Sequence, residues 1–372
     1  MRKLKRMFRK LKDPRAKNIR HDLLEIIFIA LAATLAGART CTEIAHWGQQ
    51  KEAMLRQILE LPHGIPSHDT FSNVFRALNP HAFEAAFRKF STAFARAMAR
   101  RQRRQPGLHN VVSIDGKALR GAYRRGRRAT PLHMVNVWAA GMRMALGQRK
   151  APNRNEIAGA LELLGLLDLD GAIVTADALH CTVAMAEAIR GRGGHYLLAL
   201  KKNRSKLYRL AEALVAKGRG ASRARQSPTK AHGRIERRLA VVVPAGELAT
   251  VSGFPDLKAI GRITSWRRIA GKTSKPKVRY FLISRKLTAK QLLAIARAHW
   301  GIENNLHWTL DVTFGEDRAR TRMDHGPENL ALLRKLAINI LQAVPSDIPM
   351  RHKVLSAMWN DTFLLEALGH MR

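Results

Sequence analysis

The sequence predicts an α/β protein, a mixed sheet flanked by helices, preceded by an all-helical N-terminal domain. Three observations predict it. The first hundred residues show only helical periodicity; from residue 109 short apolar runs of strand length alternate with helical patterns; and two of those runs end on a carboxylate. Leu23 to Leu35 reads as the first helix, and "TEIAHWGQQKEAMLRQIL" as the second, with Thr42 its expected N-cap. "GIPSHDTFSNVFRALNP" holds a short helix opened by Ser67 or Asp69 and closed before Pro80; "HAFEAAFRKFSTAFARAMA" is a fourth. Residues 1–100 thus form a helical unit with a basic leading arm, and "RRQRRQPG" (100–107) is the expected linker.

Beyond the linker, "VVSID" is a strand, and "LHMVNVWAA" with "RMALGQRK" a hairpin. "NEIAGALELLGLL" is helical, "GAIVTAD" a strand, "TVAMAEAIRGRGG" a helix with a glycine stop, and "HYLLALKKN" a further strand. Three strands, then helix, strand, helix, strand is the order of a ribonuclease-H-like domain, expected over 109–345. A less regular stretch, about 205–278, is rich in Gly, Ser and Lys/Arg. It is followed by the strand-like "VRYFLIS", the long helix "TAKQLLAIARAHWGIENNLHW", and a last helix, "GPENLALLRKLAINILQ", with Pro327 in its first turn. Residues 346–372 are left as a C-terminal tail.

The 372-residue chain carries 66 Lys+Arg against 28 Asp+Glu, a formal charge of +38, which calls for a polyanionic partner. The charge is clustered in residues 1–20, 96–128 and 201–238, as a phosphate-tracking surface requires. Two distant cysteines, Cys41 and Cys181, exclude a disulfide scaffold or zinc module and suit a reducing compartment. "LLEIIFIALAATLAGA" (23–38) contains Glu25 and falls short of the ~20 apolar residues of a spanning helix, so it is expected to be a buried core helix.

In the predicted sheet the first and fourth strands lie side by side and parallel, so Asp115 and Asp177, each taken as the end of its strand, share one carboxyl edge. Two adjacent carboxylates repel unless a cation neutralises them, and oxygen ligands without a Cys/His set select Mg²⁺ or Mn²⁺. Such ions serve in-line phosphoryl displacement. A third acid is expected on a neighbouring helix. Glu303 stands at the edge of the buried stripe Leu292, Ile295, His299, Ile302 and Leu306, while Asp311, Glu316 and Asp317 are rivals unless they pair with Arg318, Arg320 and Arg322. Lys117 and Arg120 follow the first Asp as candidate phosphate donors, and Lys201, Lys202 and Asn203 leave a strand at the same edge. Trp300 and Trp308 read as core residues, His299 and His307 as satisfied polar groups.

The motifs "SIDGKALRG", "RNEI", "TADALHC", "LALKKN", "HGRIERR" and "HWGIENNLHWTLDVTFGEDRAR" resemble bacterial insertion-sequence transposases of the H-repeat-associated type, in the DDE superfamily, from about residue 20 to 345. The resemblance implies an RNase-H-like core interrupted by an inserted β-rich segment, about 205–285. It implies Mg²⁺-dependent cleavage of element ends, strand transfer into target DNA, and a metal-binding triad of Asp115, Asp177 and Glu303. It also implies double-stranded DNA as partner, at least a dimer in synapsis, and a cytoplasmic, nucleoid-associated setting; His232 and Arg234 of "HGRIERR" become candidate DNA contacts. The chain departs from related patterns at Thr182 and Arg204, and has Ala296, His299 and Leu310 where the wider superfamily places Tyr, Arg and Lys around the Glu. Two rivals stand beside this reading: an RNase-H-like nuclease that cuts without joining, and a catalytically inactive basic DNA-binding regulator.

Overall fold

Asp22 opens helix α1 (Leu23–Leu35): its side chain accepts hydrogen bonds from the backbone N–H groups of Leu24 and Glu25, a cap worth about 1 kcal/mol. Every α1 residue except Leu24 is buried. The computed structural model describes residues 8–15, 19–101, 110–123, 131–231 and 233–369, and among these no helix is long and apolar enough to cross a membrane. Helices α2 (Cys41–Gln50), α3 (Glu52–Leu55), α4 (His68–Ala77) and α5 (Pro80–Arg101) follow. Thr40, not Thr42, caps α2, because Thr40 is the last extended residue and its hydroxyl accepts from Glu43 N–H at 3.1 Å. Ser67 caps α4.

The sheet begins with β1 (Val111–Tyr123), β2 (Pro131–Ala139) and β3 (Met144–Lys150). After α6 (Glu156–Leu164) come β4 (Ile173–Ala176), α7 (Val183–Arg190) and β5 (His195–Leu200). β2 runs antiparallel to β1 and β3, whereas β4 is parallel to both β1 and β5, giving the order β3-β2-β1-β4-β5 of a ribonuclease-H-like core. The stretch expected to be irregular holds α8 (Ser205–Lys217), β6 (Ser222–Ala231), β7 (Arg234–Pro244), α9 (Leu248–Val251), β8 (Ala259–Ile269) and β9 (Lys272–Thr273), before β10 (Lys277–Ile283). Its strands extend the same sheet: β10 pairs antiparallel with β5, then β8, β7 and β6 follow outward. Their many Lys and Arg residues hide the strand pattern, because the outer strand ends are open to solvent.

Helix α10 (Ala289–His299) packs Leu292, Leu293 and Ile295 on the face that carries Val111, Ile173, Leu197 and Phe281. The opposite face packs against α6, α7 and α8 through Ile114, Val174, Leu198, Leu163, Met185 and Ala211. The long helix expected from Thr288 onward is not uniform. After α10 the backbone widens into a π-helical turn, Ile302–His307, then resumes as α11 (Trp308–Val312). A third core joins α1–α5 to α12 (Gly326–Ala343), with Trp138 and Met144 from the sheet. Residues 350–359 and 361–369 of the expected tail are helices, α13 (Met350–Trp359) and α14 (Asp361–Gly369), contributing Val354, Ala357 and Leu364 to that core. Lys353 Nζ donates to the carbonyls of Leu341 and Val344 at 3.0 and 2.9 Å, closing the C-terminus of α12.

Candidate active site

The parallel register pairs Ser113 with Thr175 and Ile114 with Ala176, which sets Asp115 level with Asp177. Asp177 follows the last residue of β4, as expected. Asp115 does not end its strand: β2 keeps pairing with β1, Asp115 opposite Asn136 and Leu119 opposite Leu132, after β4 has stopped. The edge arises because β4 is short. Ser113, Asp115, Thr175 and Asp177 share one face, by the two-residue period of strands.

The two carboxylates feel each other. Burial first, then the charge of Asp177, push the Asp115 carboxyl up to about 7, against a backbone hydrogen bond from Gly116. Burial also opposes ionisation of Asp177, but the His180 side chain and the N–H groups of Leu179 and His180 outweigh it and hold this carboxyl below its ordinary value. His180 Nδ1 lies 2.9 Å from Asp177 Oδ1, and Leu179 N–H donates to the same oxygen at 2.9 Å. Since an ionised carboxylate only accepts, Nδ1 carries the hydrogen.

Further imidazoles surround the pair. His307 Nδ1 lies 3.6 Å from Asp115 Oδ2, and its Nε2 accepts from Asn136 Nδ2 at 3.3 Å. His299 Nδ1 lies 3.0 Å from Thr175 Oγ1, whose own hydrogen goes to Ser113 Oγ at 3.1 Å. Glu303 occupies the π-helical turn and is exposed. Among the described residues no group of three or more His, Cys, Asp and Glu side chains is spaced to hold a metal. The register and the coupling join Asp115 to Asp177, while Glu303 stands exposed on the π-helical turn. The coupled pair, oxygen-only and mutually repelling, fits a hard divalent cation.

The other candidates divide sharply. Lys117 is 8% exposed, and its ammonium lies 2.6 Å from Asp311, 3.1 Å from Asp317 and 3.6 Å from Glu316. Its charge is spent inside the fold, so it does not present itself to a phosphate. The rival acids Asp311, Glu316 and Asp317 pair with Lys117; Arg120, 80% exposed, approaches Asp317 at 3.5 Å, and Arg334 approaches Glu316 at 4.0 Å. Lys201, Lys202 and Asn203 are exposed directly after β5, at the carboxyl edge. Arg234 stands at the β6–β7 hairpin tip, 3.6 Å from Glu236. His232 lies outside the described residues, as does most of the expected linker. Trp300 and Trp308 are 41% and 56% exposed rather than core, and the Arg279 guanidinium sits 5.0 Å over the Trp300 ring. The histidines were the residues least legible beforehand. Their spacing around Glu303 was visible, but their partners lie on strands more than a hundred residues away.

The fold is thus of the ribonuclease-H-like class, with two coupled carboxylates at the carboxyl edge of its sheet. A "Transposase DDE domain" model matches residues 106–340, and the model of the segment that accompanies it, "DDE_Tnp_1-associated", matches residues 5–91. The chain is 32% identical over 332 residues to the "H repeat-associated putative transposase YhhI" of Escherichia coli, covering 87% of this chain and 85% of that protein. It is 36% identical over 277 residues to the "Uncharacterized protein in dhlA 3'region" of Xanthobacter autotrophicus, covering 73% and 90%. A piggyBac transposase in a synaptic complex with hairpin DNA, solved by cryo-EM, aligns with a TM-score of 0.44 at 11% identity, over 98% of this chain and 77% of that one. The chain belongs to the DDE transposase family.

Proposed function

We propose that this protein cleaves phosphodiesters at the ends of an insertion sequence and joins the freed strand to target DNA, with Asp115, Asp177 and Glu303 as the acids of its active centre. The observation that carries the reading is the Asp115–Asp177 pair at the β1/β4 edge, in a chain of formal charge +38. Asp115 and Asp177 would hold Mg²⁺ or Mn²⁺, with Glu303 completing the set from the adjoining helix. A divalent ion there supplies Lewis acidity for charge developing on the phosphoryl oxygens. The protein's own part is to hold DNA in line with that edge. Exposed Arg120, Lys201, Lys202 and Asn203 flank it, and Arg234, Arg238, Arg267 and Arg279 line the outer strands on the face that ends at Trp300. Hydrolysis frees a 3′-hydroxyl, which then attacks a target phosphodiester and displaces its 3′-oxygen. Both displacements use one edge. Bringing two ends together calls for two copies of the chain.

A labelled duplex carrying the element's end, incubated with supercoiled plasmid and Mg²⁺, tests this. Joined product supports the proposal. Cleavage without joining favours a plain nuclease, and binding indifferent to Mg²⁺ favours an inactive regulator. Asp177→Ala is expected to abolish cleavage while retaining salt-sensitive DNA binding, measured by filter retention; full cleavage by that variant discards the assignment of the acids.

A further inference from the structure

Two histidines bracket Glu303 at four residues on either side, and each is bonded to a different strand. His299, the last residue of α10, reaches Thr175 of β4 at 3.0 Å, and Thr175 passes the bond to Ser113 of β1 at 3.1 Å. Ser113 and Thr175 are buried and lie two residues before Asp115 and Asp177. His307, at the end of the π-helical turn, reaches Asn136 of β2 at 3.3 Å and faces Asp115 at 3.6 Å. Between these anchors Ile302 and Leu306 are buried, and Glu303 is exposed. Gly301 holds the backbone against Trp138: a Cβ there would stand 3.3 Å from the indole nitrogen. A π-helical turn inserts an extra residue, and such turns concentrate at functional sites. Here it lets both anchors engage their strands at once.

We infer that His299 and His307 are positioning residues, which register the π-helical turn over the Asp115–Asp177 pair and so set where the Glu303 carboxylate can reach. The inference rests on the proposed set of acids. Groups that fix ligand orientation from one shell out typically change metal affinity by about 10–100-fold when removed.

The test is Mn²⁺ binding by the full-length protein without DNA, followed by the electron paramagnetic resonance of free Mn²⁺, alongside DNA affinity and the melting temperature. His299→Leu is expected to raise the half-saturating Mn²⁺ concentration about tenfold at unchanged DNA affinity. His299→Asn, whose amide can replace Nδ1, is expected to restore most of it. Thr175→Val removes the same bond from the strand side and remains informative if His299→Leu does not fold; the double variant should be no weaker than either single one. A Mn²⁺ curve unmoved by His299→Leu or Thr175→Val, but shifted by Glu303→Gln, overturns the positioning role alone. A curve unmoved by Glu303→Gln removes the acid set on which the inference rests. A fall in melting temperature without any change in Mn²⁺ binding reduces His299 to a packing residue and also overturns it.

Discussion

Asp115 shows how one strand position accumulates conflict. It is held beside Asp177 by the β1/β4 register, and its carboxyl is pushed up to about 7 by burial and by that neighbour. A carboxyl raised above its ordinary value of 3.8 binds more protons folded than unfolded. Its contribution to stability is therefore best in acid and declines as pH rises from about 4 through about 7. Asp115→Asn is expected to raise metal-free stability by up to about 4 kcal/mol at pH 8, and the gain should vanish below pH 4. Thermal melts across that range check it; a constant difference at every pH removes the argument. The two aspartates were legible because each follows an apolar run of strand length. The surroundings of Lys117 are hidden for the converse reason. Nothing near "DGKAL" announces Asp311, Glu316 and Asp317, which arrive from almost two hundred residues away and neutralise it.

Elements were legible where local chemistry decides them. The cap at Ser67, the β2–β3 hairpin and Pro327 in the first turn of α12 all follow from short-range rules. The length of β1 does not. It extends past Asp115 only because β2 continues to pair with it, and the turn over Glu316–Arg318 then packs against its far half. Gly121 marks that packing. A Cβ there would stand 2.2 Å from the Ala319 carbonyl oxygen, a backbone atom that cannot step aside cheaply. Gly121→Ala is expected to destabilise the fold by about 2–3 kcal/mol, read from the denaturant midpoint. The π-helical turn escaped for a similar reason. The 3.6-residue stripe from Leu292 to Leu306 survives it with Leu292, Ile295, Ile302 and Leu306 all buried, so periodicity carries no trace of the widened turn.

Across the whole molecule, the sequence exposed the charge and the order of elements but not their joining. The helical N-terminal segment and the last helices share one core, built around α12, and the basic strands after α8 join the same sheet as β1–β5. If Lys201 and Lys202 bind DNA phosphates, replacing both with Gln should weaken binding equally for all sequences. The slope of log affinity against log salt should then fall by about 2, near 0.9 for each phosphate no longer neutralised. An unchanged slope places those phosphates elsewhere.

The unbroken ladder from β3 to β6 also sets a limit for anyone wishing to pare the protein down. Cutting out residues 205–283 would strip β5 of its outer neighbour and leave a row of unsatisfied amides beside buried apolar side chains. Bare rims of that kind stick to one another. The shortened chain is thus more apt to precipitate than to survive as a minimal nuclease.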